Sequence, residues 1–387
     1  MNKTSLVFTG DIGFDNYMSG RWDDDGLLSG EVLKFLKDSD HLIVNVEGPV
    51  SKAVKKVDKN GVEKLTHTID PKATVFLDKI GADIWSICNN HIMDAGSDGL
   101  KDTLKEASLH GAHTIGAGMD IKEASKPLIL NEAGGIGMFC VGYQRACRKA
   151  DESTPGCFSW SDLDRIKKTI ADIKKTCKYC IVVAHAGEEF TALPTCYTRD
   201  RYIEYLNMGA DAVVSHHPHV PMNYETFEDG KVIFYSLGNF VFDTDYQRSQ
   251  PYTEDGVLVR LDFDENGFSF APMGIKLNRE TGCIEKSELP AIFTDVDEKQ
   301  YRLLEPLSCK AFIASTKRQL TYLKPAEFKD ATEEKWLENF YEPLRSGRVP
   351  GETLDMQIIV PISKKADDNS WKQSTLEGVK NFILSLL

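Results

Sequence analysis

"GADAVVSHHPHVP", residues 209–221, runs from a glycine turn through an apolar stretch into three histidines, His216, His217 and His219, set within four positions. The β-branched residues over 211–216 read as a strand, so the histidines stand where that strand ends. Side chains at i and i+2 of an extended segment point the same way, and a proline biases the residue before it toward extended backbone. His217 and His219 are therefore expected to face together as ligands. His216 is expected to face the other way, in a supporting or structural role.

Working outward from this segment, apolar runs alternate with helical patterns. The candidate strands are 5–10, 41–47, 82–88, 111–116, 135–143, 179–185, 211–216, 231–238, 256–263 and 268–277, and the candidate helices are 29–38, 72–80, 98–110, 161–177 and 198–208. Ile166, Ile170 and Ile173 recur at helical spacing, one apolar stripe. Strand and helix in alternation define an α/β domain. The strands after residue 221 follow one another without helices, which predicts antiparallel hairpins at the sheet's end. Residues 1–289 are read as one domain and 290–387 as a mainly helical C-terminal extension without a cluster of ligand-type residues. The charge-rich stretch "SKAVKKVDKNGVEK" (51–64) is expected to be an exposed loop.

Laid against these strands, the unusual polar residues fall at one edge. Asp11 follows the first strand, Asn45 and Glu47 end the second, and Asn89, Asn90, His91 and Asp94 follow the third. His185, Glu188 and Glu189 follow the strand at 179–185, the three histidines the next, and Asn239 the one after. The C-terminal edge of parallel strands is where βα loops converge on ligands. Asp11, Glu47, Asn90, His185, His217 and His219 offer carboxylate, imidazole and amide oxygen without thiolate, a set that suits Mn, Fe or Zn at a catalytic site. Such a set could hold one ion or two, about 3.5–4 Å apart, the spacing that clamps a phosphoryl centre. Each residue alone has a plainer reading: His185 as a hydrogen-bonded core histidine, Asp11 as a turn or helix-capping residue, "CNNH" as an Asn-rich turn. Six loops converging on one edge favour a shared site.

Composition removes other classes of function. Lys plus Arg is 46 against 59 Asp plus Glu, a net charge of −13, which argues against nucleic-acid binding. No segment is long and apolar enough to span a membrane, and the apolar run before Asp11 is too short for a signal-peptide core. The nine cysteines are odd in number and scattered, the pattern of reduced thiols in a cytoplasmic protein. Cys177 and Cys180 form a C-x-x-C with no second pair at zinc spacing and are expected to do no chemistry.

"FTGDIGF", "LIVNVEGPV", "NNHIMDAG", "GAGMDIKEASKP", "HAGEEF", "GADAVVSHHPHV" and "VIFYSLGNFVFD", in that order over residues 4–243, together resemble the CapA (PgsA-like, poly-γ-glutamate capsule biosynthesis) family of the calcineurin-like metallophosphoesterase superfamily. The resemblance implies a four-layer α-β-β-α sandwich with a metal centre at the strand ends. It implies Asp11 as the aspartate of the first metal site, Glu47 as the bridging acid, and Asn90 as a ligand beside His91, a proton donor. His185 resembles the next ligand, His217 with His219 the closing His-x-His pair, and Glu189 the glutamate after the family's His-x-Gly. The chain departs from the pattern at Gly13, where the superfamily's Asp-x-His carries histidine, at Ala186, where the family has tryptophan, and at Ser215, where it has glycine. Many relatives are anchored outside the membrane, whereas this sequence opens directly on its first strand.

The expected function is a metal-dependent hydrolase of phosphoester type, related to capsule or poly-γ-glutamate metabolism, acting on a small anionic or polymeric substrate. The alternative is a non-hydrolytic accessory or binding protein for such a polymer. His91, Asp94 and Glu189 are the expected catalytic residues. Asp94 is expected to raise the pKa of His91 or to orient its ring.

Overall fold

The computed structural model describes residues 3–52, 66–143, 146–349, 378–381 and 383–385. The expected loop at 51–64 lies, apart from its first two residues, outside them. Two sheets organise the fold. The first has strand order Ile284–Ser287, Phe268–Leu277, Asp255–Phe263, Thr4–Ile12, His41–Val46, Ile84–Ser86, His113–Ile115, with Asn239–Val241 also paired to Thr4–Ile12. The second runs Tyr224–Thr226, Val232–Phe234, Ala212–His216, Tyr179–His185, Ile136–Gly142, Leu128–Leu130. Strands 4–12, 41–46, 84–86 and 113–115 are parallel, as are 136–142, 179–185, 212–216 and 232–234. Both sheets therefore send several strand ends to one edge.

The period-two pattern of the second sheet explains the layering. Met138, Ile181, Val183, Val214 and Phe234 join Phe8, Val44 and Val259 of the first sheet in one core. The intervening Phe139, Val182, Ala184, Val213 and Ile233 pack with Ile166, Ile170 and Ile173 of helix Leu163–Thr176 and Tyr202 and Tyr205 of helix Cys196–Asn207. Each isoleucine of that stripe is buried, worth about 1.5–3 kcal/mol apiece. Helices Gly30–Lys37, Thr74–Ile80 and Gly96–Leu109 add Val32, Leu36, Phe76, Leu77, Ile80 and Leu100 to the first core. The result is the four-layer α-β-β-α sandwich.

Two differences from the sequence reading bear on the site. The expected strand 231–238 stops at Phe234, and the chain then crosses to the first sheet as Asn239–Val241. A side chain on Gly10 would place its Cβ 2.2 Å from the Gly238 carbonyl oxygen. Glycine at 10 thus permits the backbone approach that sets Asn239 opposite Asp11. The expected hairpins after 221 form between Tyr224–Thr226 and Val232–Phe234 and again from Asp255 onward; Val232–Phe234 also pairs in parallel with Ala212–His216, Asn239–Val241 instead joins a parallel neighbour, and a short helix, Asp245–Arg248, separates the two groups. Beyond residue 290 the chain forms helices Glu298–Leu323, Pro325–Phe328 and Glu333–Arg345. Asp297 opens the first with a reciprocal capping box to Gln300.

Candidate metal centre

Asp11, one residue before the end of its strand, is in register with Asn45 on one side and Asn239 on the other. Its Oδ1 accepts a hydrogen bond from Asn45 Nδ2 at 2.8 Å, and its Oδ2 lies 3.3 Å from His219 Nδ1. His219 Nε2 in turn lies 3.4 Å from Glu47 Oε1, and His185 Nε2 lies 3.9 Å from the same oxygen. Asn90 Oδ1 is 2.9 Å from His185 Nε2. Ligand atoms of Asp11, Glu47 and His185 all fall within 4.8 Å of one another, and so do those of Glu189, His217 and His219. The six residues expected as ligands thus meet at one place, contributed by both sheets, and Glu189 joins them. Glu189, expected to be catalytic, lies 3.9 Å from His217 Nε2 and offers a ligand oxygen.

The histidine segment reaches this place by a route the extended-strand argument missed. His217 has φ +98° and His219 φ +58°, left-handed conformations that turn the backbone and are uncommon for residues other than glycine. Pro218 does not hold His217 extended. His216 is the residue that remains in the strand, opposite His185 in register, and parallel neighbours in register share a face. It is buried, and neither ring nitrogen has a hydrogen-bond partner.

A second layer surrounds these groups. Asp94 Oδ2 accepts from His91 Nδ1 at 2.7 Å and from the backbone N–H of His67 at 2.8 Å. Asn89 is a clip: its Nδ2 donates to the Val46 carbonyl and its Oδ1 accepts from the Gly48 and His91 amides, so it ties the Glu47 loop to the His91 loop. Asn239 Oδ1 lies 3.0 Å from His219 Nδ1. Glu188 turns away, toward Thr195 and Thr198 at the start of helix Cys196–Asn207. The C-terminal extension reaches the site: Ser315 Oγ donates to the Glu189 carbonyl at 2.8 Å, and Tyr246 Oη donates to Gln319 Oε1 at 3.0 Å and approaches Glu189 Oε2 at 3.5 Å. The Gly13 departure also has a steric cause, since a Cβ there would stand 2.5 Å from the Phe242 ring. A histidine at that position would have to displace the Phe242 ring.

The residues present fit a divalent cation. Glu47 is fully buried, yet neither carboxylate oxygen has a hydrogen-bond partner, and the Nδ1 atoms of His185 and His217 are likewise unpartnered. Burying an unpaired carboxylate costs several kcal/mol or more. Burial accordingly pushes the Glu47 carboxyl well above its ordinary pKa, with Asp11 and Glu189 adding repulsion against the pull of His219. Burial and neighbouring histidines depress His185, and they take His217 down to about 3. Burial alone would also lower His219, but Glu47 and Asp11 outweigh it and hold the ring up at about 10. The acids around His219 thus favour positive charge at its position, which a divalent metal would supply in larger measure. His91 departs from expectation. Burial pulls it down to about 4 and defeats Asp94, which pulls it up.

Sequence reasoning missed His67 and Asp15, whose ring Nδ1 and Oδ2 lie 2.7 Å apart. Asp15 follows Asp11 by four residues and His67 stands in a loop before a helix, so neither ends an apolar run. Cys177 and Cys180 are both buried among helix and strand side chains of the second core.

The two-sheet sandwich with a carboxylate and imidazole cluster at its strand ends is a fold of metallophosphoesterase type. The family described as bacterial capsule synthesis protein PGA_cap matches residues 5–244, and the chain belongs to that family, the CapA-like branch. It is 32% identical over 282 residues to the PGA biosynthesis protein CapA of Bacillus subtilis, covering 70% of this chain and 71% of that one. To the capsule biosynthesis protein CapA of Bacillus anthracis it is 30% identical over 294 residues, covering 72% and 68%. Among solved structures, the 5'-nucleotidase of Candida albicans aligns with a TM-score of 0.41 and 13% identity, over 72% of this chain and 52% of that one.

Proposed function

We propose that the protein is a divalent-metal-dependent hydrolase of phosphoester type, working in capsule or poly-γ-glutamate metabolism on a small anionic or polymeric substrate. The observation that carries this reading is Glu47, a fully buried carboxylate with neither oxygen hydrogen-bonded, beside two histidines and a second acid, Asp11. Asp11, Glu47, Asn90 and His185 would hold one ion and Glu189 and His217 a second, with His219 between them; Mn, Fe and Zn suit these donors. When bound, such ions neutralise phosphoryl oxygens and acidify a water.

The chain's own residues supply the rest. Asp94 fixes the His91 ring through Nδ1, leaving Nε2 to face the leaving oxygen. The ring is neutral at rest because burial outweighs Asp94. A bound phosphoester brings negative charge beside it and favours the protonated form, which donates to the departing oxygen. Residues 1–289 form the catalytic domain in this reading, and the extension from 290 buttresses Glu189 through Ser315. The nine free cysteines, seven of them buried, support a reducing, cytoplasmic location.

A second reading has its own support. Two Mycobacterium tuberculosis relatives, 25% identical over 234 residues, are described as probable polyglutamine synthesis accessory proteins. In that reading the metal centre holds the carboxylates of an anionic polymer without hydrolysis. Metal analysis of the purified protein beside a panel of phosphomonoesters, phosphodiesters and γ-glutamyl peptides separates the two. Turnover of a phosphoester by the metal-loaded protein is expected; full metal with no turnover of any panel member hands the case to the accessory reading.

A further inference from the structure

Beside His91 stands a second histidine of the same construction. His91 rests its Nδ1 on Asp94 Oδ2 at 2.7 Å, and His67 rests its Nδ1 on Asp15 Oδ2 at 2.7 Å. The two rings meet edge to face with centroids 4.1 Å apart. One oxygen, Asp94 Oδ2, joins the pairs, because it also accepts the His67 backbone N–H at 2.8 Å. On its other side the His67 ring packs against Phe242, which itself packs against His219. Among the described residues no hydrogen bond is made by Nε2 of either ring.

We propose that His67, presented by Asp15, is a second substrate-contacting imidazole of this centre, with Nε2 holding an oxygen of a bound phosphoryl group next to His91. The inference rests on the phosphoester reading for its substrate. Its geometry does not depend on turnover. A carboxylate on Nδ1 is not by itself a sign of function, since His41 rests on Asp83 in the same way; what sets His67 apart is that its ring, so held, stands in contact with His91 beside the centre. Only the far nitrogen is left to do work: with Nδ1–H given to Asp15, Nε2–H donates to a phosphoryl oxygen when the ring carries both protons, the form that a carboxylate partner and a bound anion both favour.

Inorganic phosphate binding to the metal-loaded full chain tests this without requiring catalysis. His67→Phe keeps a ring against His91 and Phe242 and removes the hydrogen bond; His67→Ala guards against a misfit of the larger ring. Both should weaken phosphate binding by about 10-fold, the size of a lost hydrogen bond to a charged group, with metal content unchanged. His67→Gln should recover part of the loss. Asp15→Asn should weaken binding less, and adding it to His67→Phe should do nothing further, since Asp15 acts through the ring. Wild-type phosphate affinity in both His67→Phe and His67→Ala overturns the proposal. Wild-type protein that shows the His67-dependent phosphate affinity but turns over no phosphoester sinks the hydrolase reading and leaves His67 as an anion contact. Wild-type protein that is full of metal and binds no phosphate overturns both.

Discussion

The strand His41–Val46 has two polar ends, and they are finished differently. At its start His41 Nδ1 lies 2.7 Å from Asp83 Oδ2, and Asp83 Oδ1 accepts the Leu42 amide at 2.8 Å. That carboxylate is half in water and fully partnered. One residue past the other end Glu47 is buried with neither oxygen hydrogen-bonded. Both ends belong to one sheet and one layer, so packing alone does not account for the contrast. The N-terminal edge is complete as folded; in the proposed reading the C-terminal edge would be completed by a cation.

Replacing Glu47 should sharpen this contrast most. Glu47→Gln is expected to cost metal binding and, with it, any hydrolysis. In the metal-free protein the same change should raise the melting temperature by on the order of a few degrees, because the burial penalty on the carboxyl outweighs the pull of His219 on it. Calorimetry of both proteins in chelator, with metal analysis, checks the two signs together. A fall in the metal-free melting temperature would mean that the carboxylate is well satisfied after all.

His91→Ala comes next. It should keep its metal and lower turnover by on the order of 10²–10⁴-fold, the range for a lost general acid. Substrates with very acidic leaving groups should suffer least. Release of metal by this variant would make His91 a ligand instead. Glu189→Gln should have a smaller effect, weakening the second ion by roughly 10–100-fold while the first stays; loss of both ions in titration would show that the two groups of ligands are one.

The opposite end of the strand should respond only in stability. Asp83's hydrogen bond raises the His41 pKa against the effect of burial. The pair therefore stabilises the fold fully below the ordinary histidine pKa, and the contribution fades as pH rises through the raised value. His41→Gln should cost up to about 1 kcal/mol in denaturant unfolding at about pH 5.5, less at about pH 8.5, and nothing in metal content. The smallest effect is expected at Cys177 and Cys180, where replacement of both by alanine should leave metal content and turnover as they were.

Much of the site was legible because each of its residues closes an apolar run. Asp11, Glu47, Asn90, His185, His217 and His219 could be placed at the C-terminal ends of strands from periodicity alone, although the structure divides those strands between two sheets. What periodicity carries no trace of is the path of the chain between strands. The positive φ of His217 and His219 is set by tertiary contacts, so the pairing of those rings was expected for the wrong geometric reason. The crossing of Asn239–Val241 to the first sheet hides in an apolar run that looks continuous from Val232. His67 and Asp15 come from loops, where spacing says nothing about neighbours. The sign of the His91 shift depends on burial, and sequence showed Asp94 nearby without showing how little water reaches the ring.

Divalent-metal content of the purified chain, measured beside that of a His217→Ala, His219→Ala double variant with circular dichroism to verify folding, tests the central claim most directly. The account predicts at least one transition metal per wild-type chain and none in the folded double variant. A folded double variant that retains the full wild-type metal content would contradict it.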